Sequence, residues 1–265
     1  MTSLASAVDA LQAFAATALL LATRLGALLL ATPPFGALAV PASVRLLVVL
    51  ALAAVLAPAV DPAAAVAAAA DLGTLLAALA GEAALGLTMA LGVALAFAAF
   101  QIGARLLDVQ IGFGIGQVFD PATRQQLPVL AGLAAPLALV LFVTADAHHA
   151  MLRAVAVGLE RFPPGAPWPL GSALDAAIGP VLVQASAAFS LGFALVAPVV
   201  FALALVDLGL GVLARNLPQM NMFVLGIPVK VVAGVAALSL WVAGAGPVVA
   251  KIHATMLAGW SAFFR

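Results

Sequence analysis

"LARNLPQMNMFVLGIPVK" runs from Leu213 to Lys230 and carries Arg215, Asn216, Gln219, Asn221 and two prolines, Pro218 and Pro228. The chain on either side is almost pure Ala, Val, Leu and Gly. Upstream, no charge occurs between Asp175 and Asp207; downstream, none occurs between Lys230 and Lys251. A helix crosses the hydrocarbon core of a bilayer with about 20 apolar residues, at about 1.5 Å per residue. The polar stretch is therefore a break between two segments long enough to span a membrane, and the upstream one is longer than one crossing needs.

The same pattern repeats outward. No charge lies between Glu82 and Arg105, nor between Arg124 and Asp146. Residues 10–31 read as one helix, with Arg24 inside it and "TPPFG" (32–36) at its end. Residues 38–57 read as another, stopped near Pro58, because proline disfavours helix in the residue before it. "PAAAVAAAADLGTLLAALAG" (62–81) is helical by propensity but only weakly hydrophobic, and Asp71 interrupts it. The prediction is an all-α integral membrane protein. About six long hydrophobic helices form a hairpin-like arrangement with Pro/Gly-broken polar loops, in a single domain over residues 1–265.

Composition agrees. Hydrophobic residues make up 66% of the 265, and charged ones 8%, against about 25% in a soluble domain. Mean hydropathy is +1.27. Ten basic and ten acidic residues cannot coat a soluble fold of this length. The formal net charge of +0 leaves no basic footprint for nucleic acid. The absence of cysteine excludes disulfides, thiol catalysis and cysteine-ligated metals. There is no tyrosine and no run of polar/apolar alternation, which a membrane β-barrel would need. Asp9 stands where a leader peptide would carry Lys or Arg, so the N-terminus reads as mature chain.

A second polar island, "DVQIGFGIGQVFDPATRQQLPVL", covers residues 108–130. Gly112, Gly114 and Gly116 begin a dinucleotide-like pattern, but Gln117 occupies the place of its last glycine and no strand precedes it, so that motif is rejected. Asp120 can cap a short helix that starts at Pro121 and stops before Pro128. The island reads as a glycine loop followed by a capped turn, with an ordinary surface loop as an equal alternative. In the opening stretch, Pro218 ends the helix that begins near residue 176, and Arg215 sits in its last turn, where the helix dipole favours a cation. Gly226 and Pro228 form a second break. Non-helical backbone at membrane depth needs protein or a water-filled cavity around it. Met220, Met222 and Phe223 are bulky, adaptable groups suited to closing a gap reversibly. The stretch reads equally as a re-entrant gating element or as a buried packing corner.

"PQMNMFVLGIPVK" resembles the C-terminal signature of the FliR/SctT family of flagellar and type III secretion export gates, and "FDPATRQQLPVL" resembles that family's central motif. "TADAHHAMLRAV" (144–155) and the Pro-rich segment after it match its layout. The resemblance implies a non-enzymatic subunit of a helical, cone-like inner-membrane gate, at the flagellar basal body in the flagellar version. FliP-type and FliQ-type subunits would be its partners, around a conduit for unfolded protein substrates. It implies a plug loop at Gly112, Phe113, Gly114, Ile115, Gly116 and Gln117. It implies a central motif at Phe119, Asp120, Pro121, Arg124 and Pro128. It implies a C-terminal motif at Arg215, Pro218, Gln219, Met220, Asn221, Met222, Phe223, Gly226, Pro228 and Lys230. No cofactor is implied. The injectisome version of the same subunit is the alternative.

The remaining polar residues suggest no chemistry of their own. "DAHH" (146–149) places Asp146 and His149 on one helix face, but a zinc site wants three or four ligands, so a solvated helix end is the expectation and no metal is predicted. Glu82 is read as the start of a span, and Arg105 with Asp108 as an i,i+3 boundary pair at its end. A small-molecule transporter would show charges near mid-span and matching broken helices in two halves; only Arg24 and Asp71 approach that. An intramembrane enzyme would show a clustered catalytic set, and none stands out.

Overall fold

A computed structural model of the protein describes residues 2–37, 40–113, 128–166, 170–217, 219 and 221–263. Among the described residues there are α-helices, short 3-10 turns such as Ala57–Ala59, and no strand. The helices are α1 (Thr2–Ala31), α2 (Pro33–Ala37), α3 (Ala42–Leu56), α4 (Ala63–Ala68) and α5 (Leu72–Ile111). They continue with α6 (Val129–Thr144), α7 (Ala147–Arg161), α8 (Leu170–Asn216), α9 (Met222–Val242) and α10 (Gly246–Phe263). Among the described residues, five stretches are long and apolar enough to cross a membrane: 6–31, 42–59, 72–111, 178–216 and 224–242. A sixth crossing follows if α6 and α7 together form one broken span. The protein is an all-α integral membrane protein.

Several sequence expectations are corrected here. Residues 62–81 are not one weak helix. Asp71 accepts the N–H groups of Gly73 and Thr74 at 2.9 and 3.1 Å, so it caps a new helix instead of interrupting an old one. The residues after it belong to the 40-residue α5. Glu82 does not start a span; it lies inside α5 and is buried. Gly226 and Pro228 do not break the chain: α9 runs through both. Proline removes one backbone donor, which a membrane helix tolerates. α8 begins at Leu170, ahead of the expected residue 176. The uncharged stretch between Lys230 and Lys251 is two helices, divided where Gly244 N–H turns back to Trp241 O at 2.8 Å.

The chain folds as two compact units: residues 1–95, 146–184 and 256–265 in the first, and 96–145 and 185–255 in the second. In the first, α1 packs on α2, α3, α4 and the 3-10 turn Ala57–Ala59. Its core holds Leu20, Leu21, Leu25, Leu28, Val49 and Met89. Gly86 lets α5 touch the backbone of α1, since a Cβ there would collide with Arg24 O and sit 2.7 Å from Ala27 Cβ. The end of α10 is tied to α5 by Trp260, whose indole donates to Met89 O at 3.2 Å. Gln184 Nε2 donates to Gly92 O at 3.0 Å nearby on the same helix.

The second unit is built on Leu107, Ile111, Val196, Val199 and Leu203. Here α5 and α8 cross backbone to backbone: a Cβ on Gly103 would lie 2.8 Å from Gly192 O, and one on Gly192 would lie 2.5 Å from Ala99 O. Small residues let membrane helices approach this closely, so dispersion and packing replace the hydrophobic effect that lipid cannot supply.

Candidate functional site

In the second unit the last turn of α5, where the 108–130 island begins, packs against α9, the helix that carries the end of the 213–230 stretch. α5 ends at Ile111 because Gly112 adopts φ +91°, a left-handed conformation that costs glycine nothing, and its N–H returns to Asp108 O at 3.2 Å. Phe113 then packs, partly buried, against the Leu107–Ile111–Val199–Leu203 cluster. The chain re-enters the described structure at Pro128, which stands at the N-cap of α6 with no side-chain acceptor of its own.

Asp108 supplies the missing acceptor. One carboxylate oxygen accepts Leu130 N–H at 2.8 Å and the other accepts Ala131 N–H at 2.9 Å. These are two of the four donors that every helix start leaves unpaired, and the positive end of the α6 dipole favours the carboxylate there. The expected Arg105–Asp108 pair is not formed: Asp108 is buried on α6 while Arg105 is exposed. One buried side chain thus ties the start of α6 to the last turn of α5. The sequence held a signal for this, since Pro128 cannot cap α6 and a cap had to come from elsewhere.

The C-terminal motif enters from α9. Gly234 has no side chain where Ile111 fits, and a Cβ there would lie 2.6 Å from Ile111 Cγ1. Val231 and Trp241 pack on the same cluster, and Trp241 donates its indole N–H to Leu195 O at 2.6 Å. Lys230, the last residue of the motif, reaches Asp207 on α8 at 3.0 Å. Asn221 starts α9 by accepting Val224 N–H at 3.0 Å and Leu225 N–H at 3.3 Å on its carbonyl. Arg215 lies in the last turn of α8, as expected, and is exposed, as is Gln219. Gly226 is buried, whereas Pro228 is exposed.

The helix carrying the C-terminal motif therefore packs on the last turn of α5, where the glycine loop departs. Gly114, Ile115, Gly116, Gln117, Phe119, Asp120, Pro121, Arg124, Pro218 and Met220 lie outside the described residues, as do the side chains of Met222 and Phe223.

The sequence pattern of bacterial export proteins, family 1, matches residues 15–256. The chain belongs to that family. Both polar islands fall inside the matched range. Among relatives of this export protein, a flagellar biosynthetic protein FliR of Caulobacter vibrioides is 27% identical over 227 residues, covering 86% of this chain and 88% of that one. The Bacillus subtilis protein of the same name is 35% identical over 151 residues, covering 57% of this chain and 58% of its own length. The Escherichia coli protein is 29% identical over 156 residues, again with 58% of its length matched. The chain thus matches a little over half the length of the Bacillus and Escherichia relatives.

One polar feature of the first unit was not legible as a pair. The Arg24 guanidinium bonds both carboxylate oxygens of Glu82, and its Nη2 also donates to Phe162 O at 2.9 Å. Glu82 Oε1 additionally accepts Gly165 N–H at 3.0 Å. Gly165 has φ +82°, and a Cβ there would press to 2.9 Å on the backbone of Ala64 and Ala65.

Proposed function

We propose that this protein is a structural gate subunit of the flagellar protein export apparatus in the bacterial inner membrane, acting as one export-gate domain without catalysis. The observation that carries this reading is the convergence on Ile111: the glycine loop leaves α5 one residue beyond it, and α9, bearing the C-terminal motif, packs on it through Gly234. A conduit for unfolded chains needs a seal with anchored ends. Asp108 supplies the anchor by holding the start of α6 to the end of α5.

The plug on this reading is Gly112 to Gln117, with Phe113 and Ile115 as its bulk. The segment Phe119, Asp120, Pro121 and Arg124 up to Pro128 would form the capped turn beside it. Met220, Met222 and Phe223 would contribute to the same constriction. The partners are FliP-type and FliQ-type helical subunits. The apolar faces left open on α8 and α9, such as Phe189, Phe193, Phe201, Val224, Val232 and Leu240, support an assembled rather than a solitary form. The flagellar names of the relatives favour the flagellar system over the injectisome.

The test is membrane conductance in cells expressing the complete gate with residues 112–116 deleted. A leak to small ions in the absence of exported substrate is the expected result. An assembled gate that stays tight would remove the sealing role from this loop.

A further inference from the structure

We infer that Asp146, His148 and His149 form a binding site for one borderline divalent transition-metal ion, of the Zn(II), Co(II) or Ni(II) class, at the start of α7. A carboxylate oxygen and two imidazole nitrogens, one from each residue, all lie within 4.8 Å of one another. A tetrahedral ion with bonds of about 2.0–2.2 Å holds its ligands about 3.4 Å apart. Asp146 Oδ1 and His149 Nδ1 already stand at 3.2 Å. Both of these side chains are more than half exposed, at 77% and 59%, so rotation about their side-chain bonds can close the remaining gap. The histidine rings lie 4.1 Å apart, centroid to centroid.

Two further observations point to a ligand. Asp146 occupies the N-cap of α7, where an aspartate ordinarily accepts an N–H of the first turn. Here it adopts φ 53°, ψ 22°, and its side chain makes no capping bond. It is the only non-glycine residue with positive φ among those described. Its carboxylate turns to His149 instead. In addition, His148 is half-buried, and its Nδ1 has no hydrogen-bond partner among the described residues, a state that is costly for a polar atom shut off from solvent. The first observation leaves a carboxylate free of helix duty, and the second leaves an imidazole nitrogen without a partner.

The donor set selects the ion. Imidazole suits Zn, Cu, Ni and Fe, whereas Mg and Ca prefer an all-oxygen shell. Three protein ligands leave one position for water. The ion would fasten the first turn of α7 to the residue that precedes it. These residues belong to the first unit, and the inference does not depend on the gating role.

The experiment uses full-length protein in its detergent-solubilised complex, purified through a tag without histidine and stripped of metal. Co(II) is titrated and followed by its visible absorption, then displaced with Zn(II). One saturable site per chain with the intense bands of tetrahedral Co(II) is expected. His149→Ala and His148→Ala should each weaken binding about tenfold or more. Asp146→Gly should do the same while keeping the fold, because glycine suits the left-handed conformation. His253→Ala serves as the control and should change nothing. Absence of saturable binding overturns the inference. So does binding that persists unchanged in Asp146→Gly and His149→Ala.

Discussion

Arg24 on α1 and Glu82 on α5 meet inside the first unit, 58 residues apart in sequence, with each side chain only 4% exposed. Both charges are hydrogen-bonded beyond each other, to Phe162 O and from Gly165 N–H. A buried ion pair is weak support for stability as a pair, but breaking it strands a charge. Glu82→Ala and Arg24→Ala are each predicted to cost about 3–5 kcal/mol. The double variant Arg24→Met/Glu82→Leu should be far closer to wild type than either Arg24→Met or Glu82→Leu alone, each of which strands the other charge. Thermal aggregation of the detergent-solubilised protein across this double-mutant cycle measures it, and additive losses would contradict the account.

The Asp108 carboxylate holds two amides of α6, one on each oxygen. Asp108→Ala should leave both N–H groups unpaired and cost about 2 kcal/mol locally. Hydrogen exchange at Leu130 and Ala131 should speed up while the amides of α8 stay protected. Asp108→Asn keeps one acceptor oxygen and should give an intermediate rate.

Gly103 and Gly192 mark the crossing of α5 and α8, where each would push a Cβ into the other helix's backbone. Backbone cannot rotate aside as a side chain can. Gly192→Ala should therefore force the helices apart and lower the yield of folded protein. Gly132→Ala and Gly179→Ala face open space and should be neutral or slightly stabilising. Equal yields for Gly192→Ala and Gly132→Ala would show that the crossing is more yielding than its geometry indicates.

His253 on α10 lies among the rings of Phe100 and Phe142, at 6.4 and 6.1 Å between centroids, and its buried Nδ1 has no partner. Burial lowers its pKa below the ordinary 6.5, because the charged form loses its water. The unfolded chain then binds the proton more readily than the folded one. Its contribution to stability is unaffected above about pH 6.5 and declines as pH falls below that value. His253→Leu should reduce the loss of thermal stability between about pH 7 and pH 5. An unchanged pH profile would show that this imidazole is not its source.

The sequence by itself determined the class of the protein and several of its breaks, among them those before Asp146 and after Arg215. Long uncharged runs bounded by isolated charges can only be membrane helices, because lipid offers backbone groups no partner outside the helix. Arg215 also showed its end of a helix, since the dipole is a local effect, whereas Asp71 was read as an interruption and caps a helix instead. Proline misled at Pro228, where losing one rung did not end α9.

Tertiary structure alone decided the partners. The sequence places Arg24 inside a span and leaves α6 in need of a cap, but it does not show that Glu82 is buried or which residue answers each need. That depends on which helices cross, and the crossings are set by gaps such as Gly86, Gly103, Gly192 and Gly234. An alanine-rich chain offers many small faces of nearly equal merit. Only the folded chain shows that Gly234 receives Ile111 and so packs α9 on the last turn of α5. The physical reason is that close packing depends on three-dimensional shape, while periodicity along the chain records only which side of a helix is apolar.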